Sequence, residues 1–262
     1  NKGGTGGSGN KGAASETIEV GIVLPTKDEP RWLQDQKQFE TILGDAGFTY
    51  QVLFSQASSA TEKTNVETLI SKDMKVLIIC AQDGAAAAAA VEAAKSGDTV
   101  KLVTDASGAG LIINKDLTID FGGHTYHVTG PAVGSTGTET LAFQLLHGTD
   151  VAKPNKITMK NGKITVADIP ANDPASKQIK VVIMNYADLT LENMTVDSTG
   201  SKAMQFAMSY NNGTSQLKGD TNVIAADGVL AIDIDGSQSA YGEVNVTFDT
   251  TGEITGKIDI YG

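Results

Sequence analysis

The chain has 262 residues, 40% hydrophobic and 19% charged, and 31 acidic against 20 basic residues leave a net charge of −11. That length bounds the answer at two modest domains or one large one with room for a real core. The acidic balance argues against nucleic acid and against anionic membrane surfaces as partners. Aromatic residues make up 5% and glycine occurs 29 times, which favours a turn-rich β solenoid over a helical bundle. No stretch approaches the ~20 apolar residues of a membrane span. With one cysteine there is no disulfide framework and no Cys pair for a metal, so no cofactor is expected.

Taken in chain order, residues 1–16 read as a flexible linker rich in Gly, Ser, Asn and Lys. They hold no apolar core of a signal peptide. Their composition suits a tether behind a lipidated cysteine, which would place a lipid anchor before residue 1. The glycine run at 3–9 has no strand before it and no helix after it, so it is not a phosphate loop. Residues 18–24 are a β-branched apolar run stopped by Pro25, a strand. Pro30 suits the first turn of a helix carrying Trp32, Leu33, Phe39, Ile42 and Leu43 and ended by Gly47. Residues 50–54 form a second strand. Ser58 or Ser59 caps a helix that turns Val66, Leu69 and Ile70 inward. Residues 74–80 are apolar on both faces, as a central parallel strand requires, with Cys80 as a small buried hydrophobe. Asp83 and Gly84 then open an Ala-rich helix that runs to Ala94 and ends at Gly97. Strands alternating with helices predict a parallel sheet with right-handed crossovers.

Three stretches carry a specific resemblance: Gly21-Ile22-Val23-Leu24-Pro25-Thr26-Lys27, then Arg31-Trp32 with Asp35, then Lys75-Val76-Leu77-Ile78-Ile79. Over about residues 18–95 the chain resembles the N-terminal lobe of periplasmic sugar-binding proteins of ABC transporters, of the xylose and multiple-sugar type. The resemblance implies a cleft lined by Lys27, Arg31 and Trp32 from the first loop and by Gln82 and Asp83 after the third strand. A mono- or oligosaccharide would be the partner. Elementary chemistry agrees. Open α/β sheets bind ligands beyond the carboxyl ends of their strands, and a sugar wants an aromatic face and polar side chains. The competing reading packs Trp32 on the core and leaves Arg31 solvated. The resemblance stops before a fourth lobe strand and a second lobe, so it supplies half of a two-sided site.

From Asp98 the pattern changes to short alternating segments: residues 116–120, 156–166, 188–192, 229–234, 243–248 and 257–261. Asp116-Leu117-Thr118-Ile119-Asp120 is echoed by Asp188-Leu189-Thr190-Leu191-Glu192, an imperfect repeat of the kind that stacks into a solenoid. Residues 93–100 followed by Leu117-Thr118-Ile119-Asp120-Phe121-Gly122-Gly123-His124-Thr125 resemble the opening of pectate-lyase-like right-handed parallel β-helices. In those a helix caps the first coil, so the Ala-rich helix would serve both halves. A β-sandwich is the alternative fold for this part.

Catalytic signals are weak there. No arginine follows Arg31, and the Asp, His and Arg-Lys set of polygalacturonase-type hydrolysis is missing. Asp233 and Asp235 share one strand face and read as a solvated face. His124 and His127 fall on opposite faces, a poor metal pair, and His147 stands alone as a turn or surface residue. No Ser sits in a Gly-x-Ser-x-Gly elbow.

The expectation is an α/β partial lobe of three parallel strands (17–97) fused to an all-β right-handed parallel β-helix (98–262). Its function would be non-enzymatic, exported to the bacterial cell surface or periplasm and carbohydrate-associated. One alternative is a β-helix polysaccharide lyase or hydrolase. The other is a structural or adhesive surface module without a small-molecule ligand.

Overall fold

A computed structural model describes residues 18–80, 84–150, 152–173, 177–237 and 242–262. The linker expected over 1–16, and Gln82 and Asp83, lie outside the described residues.

The first elements follow the punctuation of the sequence. Strand β1 (Val20–Leu24) is followed by α1 (Pro30–Asp45), β2 (Tyr50–Phe54), α2 (Ser59–Ile70), β3 (Val76–Ile79) and α3 (Gly84–Ala93). Pro30 opens α1, where its missing N–H costs nothing. Ser58 caps α2 by accepting a hydrogen bond from the Thr61 N–H at 3.3 Å. Gly47 supplies a φ of 77° after α1. Strand β1 pairs in parallel with β2 on one side and β3 on the other.

One face of this sheet packs under α1, where Val20, Ile22, Leu24, Trp32 and Cys80 form a cluster. The opposite face, with Val23, Leu77 and Ile79, packs against Val66 and Leu69 of α2 and Ala87, Ala90 and Val91 of α3. Cys80 is buried as expected, and that burial pushes its thiol up to about 12 despite the nearby Arg31 charge. The thiolate that reacts is therefore scarce at neutral pH. A thiol reagent such as DTNB is expected to label Cys80 only on unfolding; rapid labelling of the native protein would contradict this burial.

The sheet does not end at the third strand. β3 pairs in parallel with β4 (Asp98–Leu102), and the same sheet continues through β7 (Leu117–Asp120), β10 (Lys156–Val166), β12 (Asp188–Asp197), β14 (Gly213–Gly219) and β17 (Val244–Thr250). Strands β5 (Ala106–Gly108), β8 (Thr125–Val128), β15 (Asn222–Ile224) and β18 (Ile254–Thr255) join it through the second halves of β10 and β12. A second sheet is built from β6 (Leu111–Ile113), β9 (Leu141–Leu145), β11 (Val181–Asn185), β13 (Phe206–Tyr210), β16 (Leu230–Asp235) and β19 (Lys257–Tyr261). The chain visits the two sheets in turn. Every ladder between described strands is parallel, and antiparallel contact is confined to the bridge between Val133 and Leu141. That is not the antiparallel pairing of a β-sandwich, so the alternative fold fails on hydrogen-bond direction.

Between the sheets, equivalent residues stack in files. Val100, Ile119, Met159, Leu191 and Leu217 are in register along the first sheet. Phe143, Ile183, Met208 and Ile232 do the same along the second, and all belong to one continuous apolar core. α3 packs against α2 on one side and against β5 and β6 on the other, closing one end of this interior. At the corner between the two halves of β10 and β12, Asn161 and Asn193 take left-handed φ values of 60° and 53°, in line with Gly219 at 61°. Asn tolerates this conformation better than most side chains. Its amide also ties neighbouring strands: Asn161 donates to Asp120 at 3.1 Å and Asn193 accepts from the Asp220 N–H at 3.0 Å.

Two polar expectations are corrected. Asp233 is not on a solvated face: it is 6% exposed and accepts a hydrogen bond from the Ser209 hydroxyl at 2.8 Å. Its strand is covered on both faces, as the consecutive buried residues Ala231, Ile232 and Asp233 require. His147, expected at the surface, is 2% exposed. Burial holds the Asp233 carboxyl above the usual carboxylate range; the Ser209 hydrogen bond opposes this, and Asp235 and Asp259 reinforce it. A carboxyl whose folded pKa is raised contributes stability below its unfolded pKa and loses it as pH rises through the folded value. The protein is thus expected to lose some stability as pH climbs through that window. Asp233→Asn should flatten that part of the profile in urea denaturation at graded pH. An unchanged slope would contradict the assignment.

Candidate functional site

Strands β2, β1, β3 and β4 run parallel, so their carboxyl ends form one edge, where open α/β sheets present their loops to ligands. The loops there are tied to the strand ends. Ser55 N–H donates to the Leu24 carbonyl at 2.9 Å, Ala57 N–H to Pro25 at 3.0 Å, Cys80 N–H to Val23 at 2.9 Å and Val103 N–H to Ile79 at 3.3 Å. After β2 the chain turns through two consecutive left-handed non-glycine residues, Gln56 and Ala57, with φ of 50° and 55°. Such residues are sparsely populated and need support from their surroundings. The Asn65 amide supplies some, donating to the Phe54 carbonyl at 3.1 Å and to Ser55 Oγ at 3.4 Å.

On this edge the side chains form two cation–ring pairs. Lys27 Nζ lies 5.0 Å from the centre of the Phe54 ring. Arg31 Cζ lies 4.5 Å from the centre of the Trp32 ring. Exposed pairs of this kind contribute about 0.5–1 kcal/mol each. Arg31 also meets Asp35 one helical turn on, Nε to Oδ2 3.8 Å, with the arginine side chain 68% exposed; such a surface pair orients more than it stabilises. The indole of Trp32 is itself 9% exposed and belongs to the α1 cluster. Most of the ring is therefore core and the guanidinium over it is solvated, the arrangement of the competing reading.

Beside Trp32 a cleft of about 210 Å³ opens between α1 and the sheet, lined by Leu24, Trp32, Asp35, Gln38, Phe39, Ile42 and Val103. It combines an aromatic and aliphatic floor with a carboxylate and an amide, a mixture suited to a small polar ligand with apolar faces. Of the five residues expected at the site, Arg31 and Trp32 are in contact, Lys27 stands over Phe54 on the same edge, and Gln82 and Asp83 lie outside the described residues.

Of the described residues expected from sequence, Trp32 lines this cleft and Lys27 and Arg31 do not; Gln38 and Val103 in its lining, and Phe54 under Lys27, were not expected. Gln38 was findable, because it follows Asp35 by three residues on α1. Val103 was not, because its place depends on β4 pairing with β3.

The branch of the first sheet formed by β5, β8 and the second half of β10 carries a separate cleft of about 380 Å³ lined by Asp105, Ala106, Ser107, Thr125, His127 and Thr165. Its one carboxylate, Asp105, accepts from the Thr125 N–H at 2.8 Å, and His127 Nδ1 is 2.7 Å from Thr165 Oγ1. The facing pair of carboxylates that glycoside hydrolysis requires is not assembled there. Among the described residues, no three His, Cys, Asp or Glu side chains are grouped to hold a metal ion. No described helix is long and apolar enough to cross a membrane.

No family model matches the chain. Part of it is similar to the multiple sugar-binding periplasmic protein SbpA of Azospirillum brasilense, 29% identical over 75 residues, which is 29% of this chain and 21% of that one. It is also similar to the multiple sugar-binding periplasmic receptor ChvE of Rhizobium radiobacter, 32% identical over 71 residues, 27% of this chain and 20% of that one. The chain thus spans about a fifth of the length of these relatives. Among solved structures it is similar to a carbohydrate transporter solute-binding protein from Chloroflexus aurantiacus in complex with D-glucose. That match has 57% identity over 32% of this chain and 25% of the other, with a TM-score of 0.29.

Proposed function

We propose that this chain is an exported carbohydrate-binding protein without catalytic activity. Its N-terminal part, residues 17–97, supplies a weak site for a mono- or oligosaccharide, and residues 98–262 form a right-handed parallel β-helix that carries it. Lys27, Arg31 and Trp32, with Gln82 and Asp83, make up the site. The observation that carries this reading is the exposed Arg31 guanidinium lying over the Trp32 ring, 4.5 Å from its centre, at the carboxyl edge of a parallel sheet. Its partial similarity to multiple sugar-binding periplasmic proteins supports the same ligand class and export. The alternation of parallel strands between two sheets with a shared apolar interior supports the β-helix.

A sugar held here would rest its apolar face near the indole edge and take hydrogen bonds from Arg31 and Lys27. One lobe leaves the opposite side of the ligand wet, so affinity in the millimolar range, about −4 kcal/mol, is expected. Isothermal titration with pentoses, hexoses and uronic acids tests this. Binding of at least one sugar by the parent protein and its loss in Arg31→Ala would support the site. Binding unchanged in Arg31→Ala would place the ligand elsewhere. The 9% exposure of Trp32 favours a second reading, in which the N-terminal part only closes the end of a structural module; no sugar would then bind at any concentration.

A further inference from the structure

We propose that two copies of this chain associate face to face through the outer surface of the first sheet, with their long axes antiparallel. The observation is a single file of charges of alternating sign. Lys101 is in register with Asp120, Asp120 with Lys160, Lys160 with Glu192, Glu192 with Lys218, and Lys218 with Asp249. Lys101, Asp120, Lys160, Glu192 and Lys218 each follow a buried core residue and so point outward, while Asp249 follows the exposed Phe248; Glu192 and Asp249 are exposed and the other four are partly covered, the Asp120 side chain to 15% exposure. Beside this file runs a hydroxyl and amide file, Thr99, Thr118, Thr158, Thr190, Gln216 and Thr247, in the same register.

An even file that alternates in sign is complementary to itself when reversed. A two-fold axis parallel to the strands, midway between β10 and β12, sets Lys101 opposite Asp249 of the second copy, Asp120 opposite Lys218 and Lys160 opposite Glu192. Each pair occurs twice, and every pair is of opposite sign. The flanking position agrees, because Lys156 and Asp188 are in register across the same axis and also face each other. A parallel arrangement of the two copies would set like charge on like at every rung. Two-fold interfaces require such self-complementarity of one patch, and charge patterns of this kind fix register and orientation.

The surrounding shape admits the partner. Over β1, β2 and β3 the same face is covered by α1, since Ile78, in register with Lys101, packs in the cluster under that helix. Three strands, β4, β7 and β10, lie on one side of the proposed axis and three, β12, β14 and β17, on the other. The partner's last strand therefore falls opposite β4, and α1 projects beyond it. Sheets packed face to face are separated by ~10 Å, room for the two layers of Thr and charged side chains.

Attraction between neighbouring strands within one chain also favours alternation, as the Lys101–Asp120 pair at 3.8 Å illustrates. The test must therefore read only contacts between chains. Sedimentation equilibrium of the full protein at low salt is expected to show a dimer that weakens as salt is added. Lys160→Glu and Glu192→Lys, each alone, place like charges opposite each other twice and should weaken the dimer by at least about ten-fold. An equimolar mixture of the two variants restores opposite signs across the interface, although neither chain's internal pairing is repaired, and should recover the dimer. Circular dichroism confirms that each variant is folded; if either is not, Lys101→Glu and Asp249→Lys, which also face each other, replace them. A parent protein that stays monomeric at low salt, single variants that dimerise like the parent, or a mixture that stays monomeric would each overturn the proposal.

Discussion

Phe143→Ala is expected to destabilise the protein by about 3–5 kcal/mol, the usual cost of removing a fully buried aromatic ring from a packed core. Phe143 is 0% exposed and meets Tyr126 edge to face, with ring centres 5.9 Å apart at 73°. It lies in register with Leu111 on one side and with Ile183 on the other, so its ring links β6, β9 and β11 of the second sheet. Tyr126 hydrogen-bonds outward from the same place, donating to the Ala109 carbonyl at 2.8 Å, and cannot swing in to fill the gap without losing that bond. Urea denaturation followed by far-UV circular dichroism measures the change. A loss under about 1 kcal/mol would mean that the two sheets do not share the interior described here, since a deep cavity cannot cost so little.

Trp32→Ala is the second large effect, again about 3–5 kcal/mol from the truncation of a buried indole. Its consequences divide between two properties. Trp32 packs with Val20, Ile22, Leu24 and Cys80 under α1, so its loss should loosen α1 from the sheet and expose Cys80 to thiol reagents well below the global unfolding transition. It also removes the ring on which Arg31 rests, so any sugar response should vanish with it. Trp32→Phe separates the two: it keeps an apolar plug and an aromatic face, and should recover most of the stability together with part of the binding. A Trp32→Ala protein in which Cys80 stays protected would contradict the packing described for α1.

The N-terminal elements were legible because each boundary is written in residues with a local physical meaning. Pro25 stops a strand, Pro30 starts a helix, Ser58 caps another and Gly47 turns the chain, and these effects act within a few residues. The second sheet was largely illegible for the opposite reason. Leu141–Leu145, Val181–Asn185 and Phe206–Tyr210 are buried on both faces, as Ala142, Phe143, Val182, Ile183, Ala207 and Met208 at 0% exposure demonstrate. They therefore lack the alternation that marks a half-covered strand. The alternating runs around Thr118, Thr158 and Thr190 were visible because one of their faces meets water.

At the site, Arg31 and Trp32 are neighbours in sequence and their contact could be anticipated. Phe54 and Val103 reach the same edge only through strand pairing, which no local pattern encodes. The burial of Asp233 was hidden in the same way, since its cover comes from other parts of the chain while its own strand reads as an ordinary apolar and acidic alternation.

Trp32 is the sole tryptophan, so emission excited selectively through tryptophan rather than the six tyrosines reports on the proposed site in the unmodified protein. Titration with a panel of pentoses, hexoses and uronic acids is therefore the most direct test of carbohydrate binding at this edge. A saturable change in emission with at least one sugar, absent in Arg31→Ala, is the predicted result. A flat response to every sugar up to the solubility limit would contradict it and leave the Arg31–Trp32 pair as packing at the end of a structural module.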